Sequence, residues 1–344
     1  MLQQSGIFYF YTMILHRQIV QLQLKETFAI AYGNYTFREA LIVSLQSHGE
    51  KGYGECTAID YYDINLNDFQ TILNRLQSVI EKQSIVHPTE FYAFLLTLEL
   101  PSFLRSALDC AYWDLFGKLE KQSFLTQNKI HFNQLPESSI TISVDSVEQQ
   151  LQKMAQSDWR YFKVKCNHFS ESDIRKLSES NLNIALDSNG SFTAQDCFWL
   201  ENYPEVANFT YLEQPMKKGA EQYSNLHSDA LANWMADEDC QSSADLEKLL
   251  PHYKSINIKL VKCGGLTPAL AMIAEARKLG FKIMIGCMTE STIGISAGAV
   301  LAPLCDYADL DGANLIANDL AQGSHIVNGN IQLSEKPGLG IKLG

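Results

Sequence analysis

The sequence predicts an α/β fold whose main domain is a TIM-type barrel. Beyond residue 138, short apolar runs alternate with amphipathic stretches of helical period. Eight such runs occur, at residues 140–144, 161–165, 184–187, 209–213, 234–237, 256–260, 282–286 and 307–310. Eight buried strands that alternate with helices indicate parallel βα units, and a barrel is the economical way to close them.

An open, doubly wound sheet is the alternative for the same pattern. Such sheets usually carry a glycine-rich phosphate-binding turn after their first strand. The residues at 143–146, where that turn would lie, contain no glycine. The barrel is therefore favoured.

A smaller α+β region precedes the barrel. Residues 18–60 alternate between apolar and polar side chains and are interrupted at His48-Gly49-Glu50, which is typical of an antiparallel meander. Residues 66–120 follow a helical period, and Gly117 is expected to end the last helix of this region.

Charge and composition exclude several classes of function. The 344 residues include 39 acidic and 27 basic side chains, so the formal net charge is −12. An acidic chain without a basic stripe does not attract nucleic-acid phosphates or anionic lipids. No apolar run approaches the roughly 18 residues of a membrane span. We therefore expect neither a nucleic-acid partner nor a membrane partner.

The cysteines and the first residues bear on the cellular setting. The eight cysteines are scattered, with no CxxC pair. This favours a reduced, cytoplasmic setting over a disulfide framework or a zinc site. The apolar segment 6–15 has no basic residue before it and no small-residue cleavage site after it. It is interpreted as a frayed leader or the start of a strand rather than as a signal peptide.

Three carboxylates end consecutive predicted strands. Asp187, Glu213 and Asp237 close the third, fourth and fifth barrel runs, and the carboxyl ends of barrel strands share one rim. Clustered carboxylates repel one another unless they are protonated or bridged by a cation, and oxygen ligands suit Mg²⁺. The alternative is that each acid caps the helix that follows, although a glutamate caps poorly.

Three lysines accompany these acids. Lys163 and Lys165 lie two residues apart on the second strand, so their side chains point to the same face. That face is the barrel interior, because Val164 between them faces the helices. Lys259 lies near the end of the sixth strand, which stands opposite the second. Neighbouring cations are expected to lower the lysine pKa values, so that two bases flank one carbon, as in a racemase or epimerase. The alternative is that the lysines only neutralise the acids.

The eighth strand supplies Asp309 and Asp311, which lie on the same face because they are two residues apart. No arginine or lysine in the local sequence faces them. Two such carboxylates favour a cationic group on the substrate, such as an α-ammonium. A solvated turn is the alternative.

Together these motifs resemble the muconate-lactonising subgroup of the enolase superfamily, over nearly the whole chain from about residue 18. In chain order they are Lys163-Val164-Lys165, Asp187-Ser188-Asn189, Glu213-Gln214-Pro215, Ala236-Asp237-Glu238, Ile258-Lys259 with Gly264-Gly265, and Gly286-Cys287-Met288-Thr289-Glu290-Ser291. Gly52-Tyr53-Gly54-Glu55 and the 107–114 helix resemble its capping domain, and residues 336–341 resemble its tail. Asp309-Leu310-Asp311 resembles the mark of the dipeptide epimerases of the Ala-Glu type.

The resemblance implies the architecture and the metal site. It implies an α+β capping domain of residues 1–125, a modified (β/α)7β barrel of residues 126–314, and a tail of residues 315–344 that packs back on the cap. It also implies Mg²⁺ bound by Asp187, Glu213 and Asp237, with Asn189 and Glu238 in supporting positions.

The resemblance further implies a Mg-dependent dipeptide epimerase. Such an enzyme inverts the α-carbon of the second residue by 1,1-proton transfer through an enediolate. Lys163 would stabilise the growing charge, Lys165 would serve the (R) substrate and Lys259 the (S) substrate. The partner is then a small dipeptide, and a homo-oligomer is left open.

The substrate-binding residues follow from the same matching. Thr141 would contact the dipeptide, Cys287 and Met288 would line the pocket, and Asp309 and Asp311 would hold the free amine.

One position departs from the Ala-Glu type. In those epimerases a cap loop after the first strand offers an arginine to the glutamate side chain, whereas here Gly33 takes that position and Arg38 lies further on. Without a fixed cation, an acidic second residue loses a charge-assisted partner. The sequence therefore predicts Ala-Xaa substrates with a neutral or apolar Xaa.

Three other functions compete with this one. N-acylamino-acid racemase, o-succinylbenzoate synthase and cycloisomerase, of the same subgroup, use substrates without an ammonium, which Asp309 and Asp311 disfavour. A catalytically idle barrel used as a binding module has no need of the full set of acids and lysines. A metal-dependent aldolase or hydrolase fits the carboxylates but leaves the opposed lysines unexplained.

Overall fold

The computed structural model describes residues 13–30 and 33–344. The segment 6–15 is interpreted above as a leader or the start of a strand. Its residues 6–12 lie outside the described residues. From Ile14 the chain is a strand.

The capping region begins with an antiparallel meander, as predicted. Its sheet has the order β1-β2-β3 and is covered by helices, with α3 packed along β3. The elements are β1 (Ile14–Ile30), β2 (Gly33–Ser47), β3 (Glu50–Thr57), α1 (Leu66–Glu81), α2 (Pro88–Leu96), α3 (Ser102–Glu120) and α4 (Phe124–Gln127).

Gly117 does not end its helix, so that prediction is wrong. Helix α3 continues to Glu120. A Cβ atom on Gly117 would lie 2.5 Å from the Cα of Gly338 in the tail. The glycine is explained by the close approach of two chain segments rather than by helix termination.

Eight parallel strands form a nearly closed barrel in sequence order, which confirms the predicted barrel and excludes the doubly wound sheet. An isolated bridge between Ser138 and Ala308 joins the last strand to the first. The strands are β4 (Ile140–Ile142), β5 (Tyr161–Lys165), β6 (Asn183–Asp187), β7 (Leu212–Glu213), β8 (Trp234–Ala236), β9 (Ser255–Lys259), β10 (Lys282–Gly286) and β11 (Tyr307–Asp309).

Helical segments connect these strands on the outside of the barrel. They are α5 (Val147–Ala155), α6 (Glu171–Ser178), α7 (Ala194–Glu201), α8 (Ala220–Tyr223), α9 (Leu246–Leu249), α10 (Leu260–Cys263), α11 (Leu266–Leu279) and α12 (Thr292–Ala299). A short 3₁₀ turn (Gly312–Leu315) follows β11. Among the described residues, no helix is both long enough and apolar enough to cross a bilayer.

The tail packs back on the cap, as the resemblance implied. Its strands β12 (Ala321–Gln322) and β15 (Lys342–Leu343) pair, as do β13 (His325–Val327) and β14 (Asn330–Gln332). Leu339 N donates to Asp114 Oδ1 at 2.8 Å, and Lys118 Nζ donates to the carbonyl oxygen of Ile341 at 2.8 Å. The domain boundaries at 125/126 and 314/315 stay predictions.

Two buried carboxylates of the cap dock on the N-termini of barrel helices. Glu55 on β3 accepts from Ser291 N at 3.0 Å and Gly294 N at 3.3 Å, at the start of α12. Asp109 on α3 accepts from Thr267 N at 2.9 Å and Thr267 Oγ1 at 2.8 Å, at the start of α11. Helix N-termini favour carboxylates because their first N–H groups lack partners. These contacts hold the cap over the carboxyl ends of the barrel strands.

The docking of Glu55 predicts a loss of stability on its removal. In Glu55→Ala, the N–H groups of Ser291 and Gly294 stay buried without an acceptor, which costs about 2 kcal/mol in the free energy of unfolding. Urea unfolding followed by circular dichroism measures this loss.

Glu50→Ala is the matched control, because Glu50 lies at the exposed start of the same strand. We expect it to change the free energy of unfolding by less than about 0.5 kcal/mol. Equal effects of the two substitutions would show that Glu55 does not hold the cap on the barrel.

Candidate active site

A cavity opens at the carboxyl ends of the barrel strands, beneath the cap. Eleven of the thirteen site residues predicted above line it, including Lys163, Lys165 and Lys259. The other two, Asp187 and Glu213, lie beside it, within 4 Å of lysine ammonium groups that line the cavity. The cavity is the candidate active site.

The register of the parallel strands brings the three predicted metal ligands to one part of the rim. Asp187 and Glu213 are the last residues of β6 and β7 and are partners in the sheet register. Asp237 directly follows β8, the next strand in the barrel. Each acid faces a lysine, at Asp187–Lys165 (2.5 Å), Glu213–Lys163 (3.6 Å) and Asp237–Lys259 (2.8 Å).

Ten buried ionisable side chains form one charge cluster here. Its members are Asp187, Glu213, Asp237, Glu238, Asp309, Asp311, Lys163, Lys165, Lys259 and Lys262. If all were ionised, six negative charges would face four positive ones, and the excess equals the charge of one divalent cation. Burial, with the charges of Asp187 and Asp237, raises the pKa of Glu213 to about 7 and that of Glu238 to about 8.

The same two glutamates have oxygens without a hydrogen-bond partner. Glu213 Oε2 and Glu238 Oε2 are both buried and accept no hydrogen bond, although the ammonium of Lys163 lies 3.6 Å from Glu213 Oε2. A buried carboxylate oxygen without a donor is costly, and an oxygen-seeking cation would satisfy it. The residues present therefore fit a Mg²⁺ ion.

The acids are not preassembled around one point. Within residues 13–30 and 33–344, no three acidic, histidine or cysteine side chains converge as metal ligands. The ammonium groups of Lys163, Lys165 and Lys259 lie against the carboxylates instead. The roles of the three acids as metal ligands stay predictions.

Two lysine pKa values differ from expectation. The prediction that neighbouring cations lower them is wrong for Lys163 and Lys259. Burial opposes both ammonium charges, but nearby carboxylates, chiefly Asp309 for Lys163 and Asp237 for Lys259, hold the pKa values well above the ordinary range. The reason is that carboxylates from other barrel strands outweigh the effect of neighbouring lysines, such as that of Lys163 on Lys259.

Lys165 and Lys259 contact the row of acids from its two ends. Lys165 on β5 contacts Asp187, and Lys259 on β9 contacts Asp237. Glu213 on β7 lies between those two acids, and β5 and β9 are four strands apart in the barrel. Val164 is fully buried and packs in the apolar core, as predicted. The arrangement offers two amines to a ligand held above the row.

The two aspartates of strand eight differ from each other. The local sequence offers them no cation, but a distant lysine does: Asp309 contacts Lys163 and also accepts from Ser139 Oγ at 2.9 Å. Asp311 accepts from the backbone N of Thr141 at 2.6 Å, and burial together with the charge of Asp309 raises its pKa to about 6. Lys163 precedes Asp309 by almost half the chain, so the local sequence could not show this pair. Among the described residues, no lysine or arginine forms an ion pair with Asp311, in contrast to Asp309.

Arg38 lies in the cavity wall, which corrects the expectation of a wall without a cation. Its side chain is buried, and its Nε atom has no hydrogen-bond partner. The guanidinium carbon stands 3.4 Å from the centre of the Tyr35 ring. Tyr35 in turn donates to Asp60 Oδ2 at 2.9 Å. In the match to the Ala-Glu type, Gly33 takes the position of the cation, and that match does not show that β2 brings Arg38 to the cavity.

The supporting residues link the charged ones. Asn189 Oδ1 accepts from Lys165 at 3.0 Å, and Asn189 Nδ2 donates to Glu238 Oε1 at 3.3 Å. Thr141, Cys287 and Met288 line the cavity. These positions agree with the places expected for them, while their roles stay predictions.

Two buried residues of the site were missed by the sequence reasoning. Lys262 donates to Asp237 Oδ1 at 2.6 Å and to the Asp237 carbonyl oxygen at 2.5 Å. Asn257 Nδ2 donates to Glu213 Oε1 at 2.7 Å. A signal existed for Lys262, because a lysine amid Leu260, Val261 and Cys263 is unusual in a buried segment.

Comparisons with known proteins agree with this geometry. Residues 146–344 match the family model described as Enolase C-terminal domain-like. An L-Ala-D/L-amino acid epimerase of Flavobacterium johnsoniae is 36% identical over 328 residues, covering 94% of this chain and 97% of the relative. A protein of the same name from Maribacter sp. is 34% identical over 332 residues, covering 94% and 97%.

Solved structures share the whole architecture, cap included. A dipeptide epimerase from Enterococcus faecalis, complexed with Mg and L-Leu-L-Tyr, has a TM-score of 0.86 at 26% identity and covers 96% of this chain and 99% of that one. An enolase family member from Agrobacterium tumefaciens, with bound sodium and L-Ala-L-Glu, has a TM-score of 0.84 at 26% identity and covers 94% and 98%. The chain therefore belongs to the enolase superfamily and, within it, to the dipeptide epimerases, which are isomerases that act on dipeptides.

Proposed function

We propose that the protein inverts the α-carbon of the second residue of an Ala-Xaa dipeptide, with Mg²⁺ as cofactor. One observation carries this proposal: Lys165 and Lys259 contact the two ends of one row of acids and line a single cavity. Mg²⁺ is supported by the unpartnered glutamate oxygens and by the Mg in the Enterococcus faecalis relative.

The dipeptide is oriented by its two charged ends. Its terminal carboxylate lies at the row of Asp187, Glu213 and Asp237, the residues that would hold a cation to neutralise its negative charge. Its α-ammonium pairs with Asp311, which lies next to Thr141 on the other side of the cavity. An N-acylated amino acid lacks that ammonium, so this pairing favours a dipeptide over the substrates of related racemases.

The chemistry is the removal of a proton from one face of the α-carbon and the return of a proton to its other face. One lysine takes the α-proton at Nζ after it has lost its own ammonium proton, a loss that the carboxylates around Lys259 oppose and that a cation bound to them would favour. The opposite lysine, as an ammonium, returns a proton to the other face. The electron pair left on the α-carbon is delocalised into the substrate carboxylate as an enediolate. Lys163 lies within 4 Å of Asp187 and Glu213, where the substrate carboxylate is placed. Its ammonium therefore stabilises the enediolate, which carries more negative charge, more strongly than it stabilises the bound substrate.

The second residue is neutral or apolar in this proposal, even though Arg38 lines the cavity. The Arg38 guanidinium stacks on the Tyr35 ring, and Tyr35 donates to Asp60, so the negative charge of Asp60 partly offsets that of Arg38 from the far side of Tyr35. Apolar side chains, among them Phe28 and Ile59, line the same wall. A cation whose charge is partly offset, in a wall that is otherwise largely apolar, attracts an acidic side chain less than an arginine without such a neighbour.

The opposed lysines predict one-sided exchange in single variants. Lys165→Ala should lower epimerisation of Ala-Leu by about a thousandfold or more, because one of the two proton transfers is lost. Lys259 should still exchange the α-proton of L-Ala-L-Leu with heavy water. Proton NMR of the α-position measures exchange, and a chiral separation measures inversion.

Lys259→Ala is the mirror-image control and should exchange only L-Ala-D-Leu. N-acetyl-Ala-Leu tests the ammonium requirement and should react at about a hundredth of the rate or less. Exchange of both epimers by each single variant would contradict the assignment of one lysine to each face.

The metal proposal predicts a stability change that does not depend on turnover. At a free Mg²⁺ concentration of about a hundred times Kd, the melting temperature of the wild-type protein should rise by about 4 °C. Glu213→Gln should lose this rise, because the side chain keeps its size but loses its charge. Differential scanning fluorimetry gives the measurement.

Glu290→Gln is the matched control, since Glu290 is also a buried carboxyl and feels the charge of Lys259, but is not among the proposed ligands. It should keep the Mg²⁺-dependent rise. An undiminished rise in Glu213→Gln would remove Glu213 from the proposed ligands.

The balance between Arg38 and Asp60 predicts a change of selectivity. Asp60→Asn frees the Arg38 charge, so the ratio of kcat/KM for Ala-Glu to that for Ala-Leu should rise about tenfold. The control Asp63→Asn, at an exposed position of the same cap segment, should leave the ratio unchanged. Wild-type protein that prefers Ala-Glu to Ala-Leu would refute the neutral preference.

A further inference from the structure

A second cavity, of about 320 Å³, lies beside the active-site cavity next to barrel strands β4 and β11. Its walls are residues 24–28 of β1, residues 140–143 on and after β4, Lys153 of α5, and Asn314 and Leu315 after β11. Phe28, Thr141 and Leu315 line both cavities. The two cavities therefore share a wall on the side where the substrate amine is placed.

A break in the cap sheet creates this second cavity. Gln23 pairs with Phe37, and the next pair along β1 and β2 is Phe28 with Tyr35, so residues 24–27 oppose Thr36 alone. Leu24 instead forms a bridge with Ile316, beyond the barrel. The bulged residues thus leave the cap ladder and lie over the first barrel strand.

The proposed orientation of the dipeptide, on which this inference rests, places its first residue at the shared wall. Thr141 N donates to Asp311 Oδ2 at 2.6 Å. An ammonium bound to Asp311 lies about 3 Å from that carboxylate, and hence next to Thr141. The side chain of the first residue is attached to the carbon that bears this ammonium, so it starts at Thr141, Phe28 and Leu315.

We propose that the second cavity binds the side chain of the first residue when that side chain is large and apolar, such as leucine or methionine. The wall shared with the active site, and the nearby Leu24 and Ile140, present apolar groups to it. The charged residues at its edge have mixed signs: Lys25 and Glu26 are exposed, and Lys153 pairs with Asp145 at 3.4 Å. The edge therefore gives a charged side chain no net attraction.

Kinetics on a dipeptide series with leucine as the fixed second residue test this proposal. The first residue is varied through Ala, Leu, Met, Lys and Glu, and kcat/KM is measured for each. Leu-Leu and Met-Leu should react within about tenfold of Ala-Leu, and Lys-Leu and Glu-Leu more slowly than either. In Thr27→Trp, whose indole fills the cavity, the ratio of Leu-Leu to Ala-Leu should fall about tenfold.

Thr36→Trp is the matched control, because Thr36 faces the bulge from β2 and does not line the cavity. It should leave the ratio unchanged. Lys153→Trp fills the same cavity from α5 and replaces Thr27→Trp if that variant does not fold.

Three results would overturn the proposal. These are turnover of Leu-Leu and Met-Leu below about a hundredth of Ala-Leu, an unchanged ratio in both filling variants, or a preference for Lys-Leu or Glu-Leu. If the protein still epimerises Ala-Leu, any of these results contradicts only the role of the second cavity and not the epimerase function. Failure of every dipeptide, Ala-Leu included, would instead refute the proposed function itself.

Discussion

The chemistry of this protein depends on a balance of charges buried at one end of the barrel. Burying a single unpaired charge costs several kcal/mol, so each carboxylate and each ammonium there is stable because the others are present. Six acids face four lysines, and the two glutamates Glu213 and Glu238 resist ionisation. Each has an oxygen without a hydrogen-bond partner, and ionising both would add two negative charges, which suits a divalent cation. The charged groups of the cluster thus stabilise one another, and their charges and oxygen atoms suit a bound metal ion.

The cap contributes to this site in two ways. Its carboxylates Glu55 and Asp109 accept hydrogen bonds from the first turns of α12 and α11, which sets the cap on the carboxyl ends of the strands. Its segments then supply the apolar and aromatic wall of the cavity, including Phe28 and Tyr62, together with the cation Arg38. The barrel therefore carries the charged groups, while the cap controls the shape and polarity offered to the substrate side chains.

Much of the site could be predicted because the position of a residue along a barrel strand determines where it lies in the barrel. In a parallel barrel, the last residue of each strand lies on one rim, so Asp187, Glu213 and Asp237 could be expected to meet. The alternation of Lys163 and Lys165 about Val164 placed both amines inside for the same reason. The lysine pKa values could not be predicted in this way, since they depend on distances between strands that the sequence does not contain.

The sequence alone thus determined the order of the buried strands and the acids and lysines at their ends. Both features can be read from periodicity and spacing, which depend only on positions along the chain. Contacts across long separations were decided by the tertiary structure. Lys163 meets Asp309, Gly117 meets Gly338, and a bulge in β1 opens a cavity beside Thr141. Arg38 reaches the active site from a strand on which no motif marked it. Such pairs arise from packing between elements, and packing energy depends on shape in three dimensions rather than on residue order.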